Sequence, residues 1–452
     1  MKAGEIARPR RTAAAILIAG WAAMLAWGAP GQLSYDSVVQ LADGRSGHYD
    51  TWHPPVMAAL LGLFDRILPG ALLFLVFMSG LALIALLWLL WLKPRPGWGT
   101  ALVALAIMLT PQWLLYQSDI WKDVLFADAA LAGFAALARA ADAWPARWPW
   151  LVASGLLLCL AAMARQNGVV LLPVAAVTLG LIAARHVTRR TAIGYGAGFL
   201  LATLIVSFAV DAALIAHGDG GAGASGELRY VQTYDLAGAV NRNPALELNR
   251  LKRTDPKLEG LLRSHGASLY STRQLDSLID DSDMGDAVDD APQGSIFAQW
   301  RDLVLHHPGL YLAMRWPVFW QVLATPEVTA CHPIYTGIDG APETLRSLGL
   351  KASHTPRALA LARYAGAFIG SPLFSHLAFF GLAAALLVWL LRPGIAGRSG
   401  ADLAVAGLMA GAFAFTLTFL IVSVACDYRY LYFLDLSALA GALYAVGGFT
   451  RP

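Results

Sequence analysis

Long apolar runs separated by short polar connections make up most of this chain. A helix needs about 20 apolar residues to cross a bilayer, and ten runs reach or approach that length. Lipid offers the backbone no hydrogen-bond partners, and nothing here alternates with the two-residue period of a barrel strand, so the runs are predicted to be helices. They are residues 12–29, 71–92, 98–116, 124–140, 149–164, 168–184, 192–216, 371–391, 402–424 and 430–449.

Three further apolar stretches are predicted to lie in the membrane interface instead of crossing it. Residues 54–68 and 311–324 are short and carry Asp65 and Arg315. Residues 357–368 form the third stretch. Short apolar helices with charged residues favour a position along the lipid headgroups.

The pattern divides the chain into three parts and predicts an all-α polytopic membrane protein. Residues 1–216 would form a membrane domain of about seven spans, with a first outer loop at residues 30–53. Residues 217–370 would form a mostly helical segment outside the membrane, and residues 371–452 would add about three spans. Composition agrees, since only 14% of the 452 residues are charged and soluble proteins carry about a quarter. The net charge of +3 gives no reason to expect a nucleic-acid partner.

Lysine and arginine are concentrated in one set of connections, and this predicts the orientation. Cytoplasmic loops of membrane proteins are enriched in both residues. The bias predicts cytoplasmic termini, with the loop 30–53 and the segment 217–370 on the outer face. No small-residue cleavage site follows the first run, which is therefore predicted to be a retained span and not a signal peptide. The inner set is Lys2, Arg8, Arg10, Arg11, Lys93, Arg95, Arg139, Arg147, Arg185, Arg189, Arg190, Arg392, Arg398 and Arg451, and the short outer connections hold Arg45, Arg66, Lys122, Arg165 and Arg429.

Three cysteines are present, and their spacing fits no zinc motif. Cys159 lies in an apolar run and is expected to be a small core residue. Cys331 and Cys426 both fall on the predicted outer side. Oxidising conditions there would allow a disulfide between them, and the alternative is two free thiols.

Asp36 is the first candidate for chemistry, because it follows the first span on the predicted outer face. It lies in the sequence Ser-Tyr-Asp-Ser, and the same loop ends with Trp-His53-Pro-Pro, where proline suits the first turn of a helix. One interpretation is that Asp36 caps a short surface helix. The other is that it is a reactive carboxylate at the membrane surface.

These motifs resemble those of the GT-C membrane glycosyltransferases, such as protein O-mannosyltransferases and lipid A aminoarabinose transferases. The shared feature is an acidic residue just after the first span, followed by a His-Pro-Pro helix start. The set Ser-Tyr-Asp-Ser, Trp-His-Pro-Pro, Trp-Lys-Asp and Asp-Tyr-Arg-Tyr-Leu-Tyr is more similar still to a group of bacterial membrane proteins placed in that superfamily. The resemblance covers the spans of the first half and scattered motifs in the second, and it leaves out the long outer segment. It implies a GT-C-like fold in the bacterial inner membrane.

The resemblance implies transfer of a sugar, with inversion, from a polyprenyl-linked donor to a glycan, lipid or protein acceptor at the outer face. Such a reaction needs a carboxylate that takes the proton of the acceptor hydroxyl. By its position after the first span, Asp36 is the expected base. Cations must hold the lipid phosphate and stabilise the leaving group, and Arg165, Arg429 and Lys122 are the expected phosphate ligands.

The second outer loop adds Asp119, Lys122 and Asp123 to the expected substrate site. The resemblance places a second functional acid in such a loop, and Lys122 would meet the phosphate. The alternative is ordinary anchoring at the interface, with the ammonium reaching water and Trp121 at headgroup level.

Arg165 and Arg429 lie at predicted outer ends of spans, where basic residues are scarce. A guanidinium matches the geometry of phosphate better than an ammonium does. Both arginines are therefore expected to bind the donor, together with His53 and with Tyr428 of the Asp-Tyr-Arg motif. For Arg429 the alternative is a local ion pair with the neighbouring Asp427.

No cofactor is expected. His53, His332 and Asp339 are conceivable metal ligands, yet no HExxH or paired-cysteine motif supports them. Some GT-C oligosaccharide transferases bind a divalent cation through acidic motifs. Because no Asp-x-Asp follows the first span here, a metal-independent mechanism is favoured.

Two other classes of function stay open. A transporter or flippase of lipid-linked sugars would need a charged residue within the membrane, and Asp128 and Asp211 are the main intramembrane acids. Such carriers usually show paired halves, and no internal repeat is present. A non-catalytic membrane subunit is the third option.

Overall fold

The computed structural model describes residues 3–49, 53–93, 96–217, 225–392 and 399–447. These residues are predominantly helical, and extended segments pair only through isolated backbone bridges. The all-α prediction is therefore confirmed for the described part of the chain. Predicted features outside the described residues are Lys2, Arg95, Arg398, Arg451, Trp52 of the Trp-His-Pro-Pro motif and residues 218–224 of the predicted outer segment.

Helices follow one another along the chain with short connections. The first part contains α1 (Ala3–Gly28), α2 (Tyr35–Ser46), α3 (Pro55–Ile67), α4 (Leu72–Trp91), α5 (Trp98–Met108), α6 (Pro111–Leu114), α7 (Lys122–Asp142), α8 (Trp148–Ala164), α9 (Leu171–Ala183) and α10 (Arg189–His217). The middle part contains α11 (Ser225–Arg242), α12 (Asn249–Thr254), α13 (Pro256–Leu261), α14 (Ala267–Leu269), α15 (Asp276–Ile279), α16 (Ser282–Asp290), α17 (Ser295–His306), α18 (Pro308–Ala324), α19 (Pro342–Ser347) and α20 (Pro356–Gly366). The last part contains α21 (His376–Leu391), α22 (Gly400–Val422) and α23 (Tyr432–Val446). Tight turns at Tyr116–Ser118, Gln166–Val170 and Tyr428–Leu431 precede α7, α9 and α23.

Six helices in the described chain are long and apolar enough to cross a membrane, so this is an all-helical membrane protein. A seventh span results if α5 and Pro111–Ser118, which are bent by 58°, are counted together. α8 and α21 are apolar but shorter. Each of the ten predicted runs contains a helix, yet the predicted number of about ten spans is not confirmed by these lengths. The six are α1 from Arg8, α4, α7, Gln166–Ala183, α10 and α22.

α7 is the central helix of the membrane-embedded part. Within its apolar stretch, 94% of the residues are buried inside the protein, compared with 11% for α10, which lies at the edge. α7 packs against α4, α8, α22 and α23. Its sequence is rich in alanine, and small side chains let neighbouring helices approach closely.

The middle part of the chain has a hydrophobic core of its own, formed by residues between 234 and 318. Inside it, Arg315 forms an ion pair of 2.6 Å with Asp235, and both side chains are almost inaccessible to solvent. Trp300 Nε1 donates a second hydrogen bond of 2.7 Å to the same carboxylate. The predicted interfacial stretches are helices α3, α18 and α20, and their position relative to the membrane stays a prediction.

A short backbone ladder joins three distant segments at one end of the helix bundle. Gln32 N donates to Ser118 O at 2.9 Å, and Ile120 N donates back to Gln32 O at 3.0 Å. Leu33 N donates to Gly337 O, and Asp339 N donates to Leu33 O, both at 2.9 Å. The ladder fixes the chain between α1 and α2 against the start of α7. We call this end of the bundle the site end.

A disulfide joins Cys331 to Cys426, with 5.0 Å between the Cα atoms, which confirms the disulfide option. Cys426 N also donates to the carbonyl oxygen of Arg273 at 2.9 Å, and the guanidinium of Arg315 donates to Ser423 O. The middle part of the chain is thus tied to residues 423–431, which lead into α23.

Candidate active site

The first turn of α2 holds Asp36 at the site end. The helix begins at Tyr35 with Ser34 as its N-cap, so Asp36 lies within the first turn and is not the cap. Ser37 Oγ donates to Ile120 O at 2.6 Å, and Trp121 Nε1 donates to Ser34 Oγ at 3.0 Å. These side-chain bonds fasten the start of α2 to the chain that enters α7.

Backbone contact with α3 sets the distance of α2 from the bundle. Gly44 and Gly62 face each other so closely that a Cβ at Gly62 would overlap the carbonyl group of Gly44. Beside them, Arg45 binds both carboxylate oxygens of Asp65, at 2.8 and 2.9 Å. The main-chain contact between α2 and α3 therefore adds to the side-chain bonds that hold Asp36 in position.

Arg429 lies at the centre of the candidate site and binds carboxylates from three parts of the chain. Its Nη2 is 2.8 Å from Asp36 Oδ2, and its Nε is 2.8 Å from Asp427 Oδ2 and 3.7 Å from Asp123 Oδ2. The guanidinium also lies over the ring of Trp121, 5.0 Å from the centroid. Only 14% of the Arg429 side chain is exposed, compared with 30% for Asp36.

Arg165 is the second arginine of the site whose side chain is mostly shielded from solvent. It forms an ion pair with Asp123, which is 2% exposed. Its guanidinium lies over the rings of Phe419 and Tyr430, 5.4 and 5.2 Å from their centroids. Asp123 therefore links the two arginines, because each approaches a different oxygen of its carboxylate.

His53 and Lys122 form a third basic element of the site. Lys122 Nζ lies 3.1 Å from His53 Nδ1. An ammonium has no acceptor, so it donates this bond and the ring accepts it, which assigns the ring hydrogen to Nε2. Pro55, in the first turn of α3, places His53 just before that helix.

The surrounding charges and burial change the pKa values of Asp36 and Asp427 in opposite directions. Burial raises the pKa of Asp36, but the positive charges of Arg429 and Lys122 outweigh this effect and the pKa is lowered overall. Burial dominates at Asp427, whose pKa is raised although Arg429 counteracts the rise. Asp36 is therefore ionised at neutral pH and acts there as a hydrogen-bond acceptor.

Asp119 and Tyr428 lie beneath the site and are inaccessible to solvent. Burial raises the pKa of Asp119 well above its usual range, and neither carboxyl oxygen has a hydrogen-bond partner in the described part of the chain. The ring of Tyr428 stacks on His376, and its hydroxyl donates to Asp435. Both side chains support the site from inside. Their contact with substrate stays a prediction.

The other predicted site residues are brought together at the site end. They come from α2, from the start of α3, from the start of α7, from the end of α8 and from the turn before α23. In the order of the chain they are Asp36, His53, Lys122, Asp123, Arg165 and Arg429.

Sequence reasoning did not assign three contributors a role in the site. Trp121 and Tyr430 stack on the two arginines, and both belong to motifs that also contain predicted residues. Asp276 of α15 is the third, and the charge of Asp36 contributes to the rise of its pKa, after burial and Asp280. Nothing in the sequence around Asp276 distinguishes it from the other acidic residues of the outer segment.

The acidic side chains of the site are arranged around a guanidinium and not around a metal site. In the described residues, no group of three or more histidine, cysteine, aspartate or glutamate side chains is arranged to hold an ion. The carboxylates of Asp36, Asp123 and Asp427 converge on the guanidinium of Arg429 instead. Metal independence stays a prediction.

Fold and site together define a polytopic helical membrane protein with a charged, partly buried cluster at one end of its bundle. No protein-family model matches the chain, and no curated protein matches it. Among solved structures, it is similar to the archaeal oligosaccharyltransferase AglB from Archaeoglobus fulgidus, in complex with an inhibitory peptide and a dolichol-phosphate. The likeness has a TM-score of 0.42 and 13% sequence identity, over 96% of this chain and 50% of that one. The chain thus spans about half the length of that relative, and a likeness this distant carries no conclusion about function.

Proposed function

We propose that this protein is an inverting membrane glycosyltransferase of the GT-C kind, which uses a polyprenyl-phosphate-type donor at the outer face of the membrane. The observation that carries the proposal is the pairing of Asp36 with Arg429. It combines a partly exposed, ionised carboxylate with a guanidinium that is mostly shielded from solvent, on the side of the bundle that the basic residues predict to face outward.

Asp36 is the general base of the proposed reaction. Arg429 binds its Oδ2, and Oδ1 takes the proton of the acceptor hydroxyl while the acceptor oxygen attacks the anomeric carbon. The bond between that carbon and the donor phosphate breaks on the opposite face of the sugar, which gives inversion. The leaving phosphate keeps the electron pair of the broken bond.

Arg429, Arg165 and Lys122 bind the leaving phosphate in this proposal. Planar guanidinium groups form two parallel hydrogen bonds to phosphate, and buried donors stabilise developing charge more than exposed ones do. Arg429 already shares its charge among three carboxylates. A phosphate that competes for Arg429 weakens its hold on Asp36 and makes Asp36 a stronger base, because burial then raises the pKa of Asp36 with less opposition.

The same arrangement supports a reaction without a divalent cation. Arg429 occupies the place among Asp36, Asp123 and Asp427 that a metal ion would need. A guanidinium cannot lose its proton in a protein, so it supplies a permanent positive charge to the leaving group.

The proposal is tested by replacing Asp36 with Asn in a strain that lacks the wild-type gene. Mass spectrometry of lipid extracts measures polyprenyl-linked sugars, and the envelope glycan is analysed in parallel. At equal protein level, Asp36→Asn should accumulate the donor and lose the glycan product, since the amide cannot take a proton. Asp286→Asn, an exposed carboxylate on α16, is the matched control and should behave as the wild type.

Asp128→Asn separates the transferase from a carrier. Asp128 is fully buried in α7 and accepts a hydrogen bond of 2.6 Å from Gln117 Nε2. Loss of the glycan with Asp128→Asn but not with Asp36→Asn would contradict the transferase and favour an ion-coupled carrier.

A further inference from the structure

A groove of about 770 Å³ runs along the membrane-embedded surface between α8 and α10. This volume falls in the range of roughly 300–1,000 Å³ that is usual for ligand sites. Gly194 and Gly198 of α10 line the groove, and a Cβ at either position would meet no atom within 4 Å. The space above these glycines is therefore open, on a helix that is largely exposed to lipid.

Arg147 stands at the mouth of the groove, directly before α8. Its guanidinium lies 4.6, 5.3 and 5.2 Å from the ring centroids of Trp144, Trp148 and Tyr195. Trp148 and Tyr195 also line the groove, so two of the rings that contact the guanidinium form part of the apolar groove wall. Arg147 donates to Trp144 O at 3.0 Å and to the hydroxyl of Tyr195. These contacts orient the guanidinium but bring no negative charge to it.

The neighbourhood of Arg147 is positive. His186 stacks on Trp144, with 4.6 Å between the centroids. Burial lowers the pKa of His186, and the positive charges of Arg185 and Arg147 lower it further. The N-terminus of α8, which follows Arg147, adds the positive end of a helix dipole.

We propose that this groove binds an anionic phospholipid, with its phosphate on Arg147 and one acyl chain over Gly194 and Gly198. An acyl chain matches the channel because lipid is the solvent of this face of α10. A phosphate matches the mouth, since a basic pocket between membrane helices on the predicted cytoplasmic side attracts anionic headgroups. The site lies at the opposite end of α8 from Arg165, and the proposal is independent of the proposed reaction.

The test reconstitutes the full chain in vesicles with equal amounts of phosphatidylcholine and phosphatidylglycerol. Native mass spectrometry then counts the lipids that stay bound after gentle extraction. The wild type should retain one phosphatidylglycerol. Arg147→Gln, which removes the charge, and Gly198→Leu, which fills the open channel, should each lower its occupancy about tenfold.

Matched controls separate these effects from general ones. Arg11→Gln removes an exposed arginine of α1, and Gly381→Leu adds a side chain on α21 where a Cβ also meets nothing within 4 Å. Both should retain the lipid as the wild type does. Unchanged phosphatidylglycerol in Arg147→Gln and Gly198→Leu, equal retention of phosphatidylcholine, or a dimer mass in place of the lipid would each overturn the proposal.

Discussion

The disulfide between Cys331 and Cys426 should control how firmly the predicted outer segment is held to the turn that carries Arg429. Cys426 lies three residues before Arg429. The backbone N–H of Cys426 also donates a hydrogen bond to the carbonyl oxygen of Arg273, which belongs to the same predicted outer segment as Cys331. Replacing both cysteines by alanine removes the cross-link and leaves those hydrogen bonds in place. Local opening of the outer segment should therefore become easier, because the opened chain regains freedom.

The size of the effect follows from the length of chain that the disulfide closes. The two cysteines are 95 residues apart, and a loop of that length corresponds to about 4.7 kcal/mol of chain entropy. If the membrane helices that follow stay inserted, only about 45 residues, from Cys331 to the start of α21 at His376, become free. The chain-entropy contribution of the disulfide then falls only to about 4 kcal/mol, because it depends on the logarithm of the loop length.

Limited trypsin digestion of the reconstituted protein measures the opening. A loss of about 4 kcal/mol increases the open population, and the cleavage rate that follows it, by roughly a thousandfold. Cleavage is expected at basic residues of the outer segment, such as Arg273. Cys159→Ala, which removes a buried free thiol in α8, is the control and should leave the cleavage rate unchanged. An increase below tenfold in the double variant would refute the reasoning, since the remaining contacts would then hold the segment alone.

Three further predictions concern the site and its support. Gly62→Ala should push α2 away from α3 at Gly44, destabilise the pair by about 1–3 kcal/mol and abolish sugar transfer, as measured by product formation. Arg315→Met should destabilise the outer segment by about 3–5 kcal/mol, because it leaves Asp235 buried without its partner, and thermal unfolding measures the loss. The lowered pKa of Asp36 means that its stabilising contribution is present above the pKa of an unfolded aspartate and is lost as the pH falls through its own pKa. Activity should follow the same acid limb in a pH profile.

Each of these predictions has a result that contradicts it. Gly80→Ala on α4, where a Cβ meets nothing within 4 Å, should be harmless, so equal activity of Gly62→Ala would remove the argument from close approach. Adding Asp235→Leu to Arg315→Met should restore part of the stability, and no recovery would show that the ion pair is not the cause. For the pH profile, Arg429→Gln should move the acid limb to higher pH, and a lower or unchanged limb would contradict the assigned charges.

The hydrophobic pattern predicted the helices well and their relation to the membrane less well. Every apolar run contains a helix because lipid and protein interior both require internal backbone hydrogen bonds. Hydropathy does not distinguish a helix inside the protein from one that faces lipid. Both α7 and α10 are apolar, for example, yet other helices surround α7 and not α10. For the same reason, apolar length alone does not decide whether the shorter helices α8 and α21 cross the membrane.

The sequence predicted which residues form the site better than it predicted which of their side chains contact each other. Asp36 and Arg429 were both singled out, yet nothing in the sequence joins two positions so far apart. Motif neighbours do not indicate the direction of a side chain, so the sequence could not show that Asp119 and Tyr428, which were predicted to bind substrate, are both inaccessible to solvent. Asp276 could not be found, since only folding brings α15 near the charge of Asp36.

The separation of Asp36 from Arg429 has a consequence for biosynthesis. The two residues are 393 positions apart, so a ribosome that adds about 5–20 residues per second completes the pair roughly 20–80 s after Asp36 is made. Until then the carboxylate lacks its guanidinium partner, and a chain that stops before Arg429 never acquires it. The charge pair therefore forms only after the chain has been made as far as Arg429, and a shorter chain lacks the pair on which the proposed reaction depends.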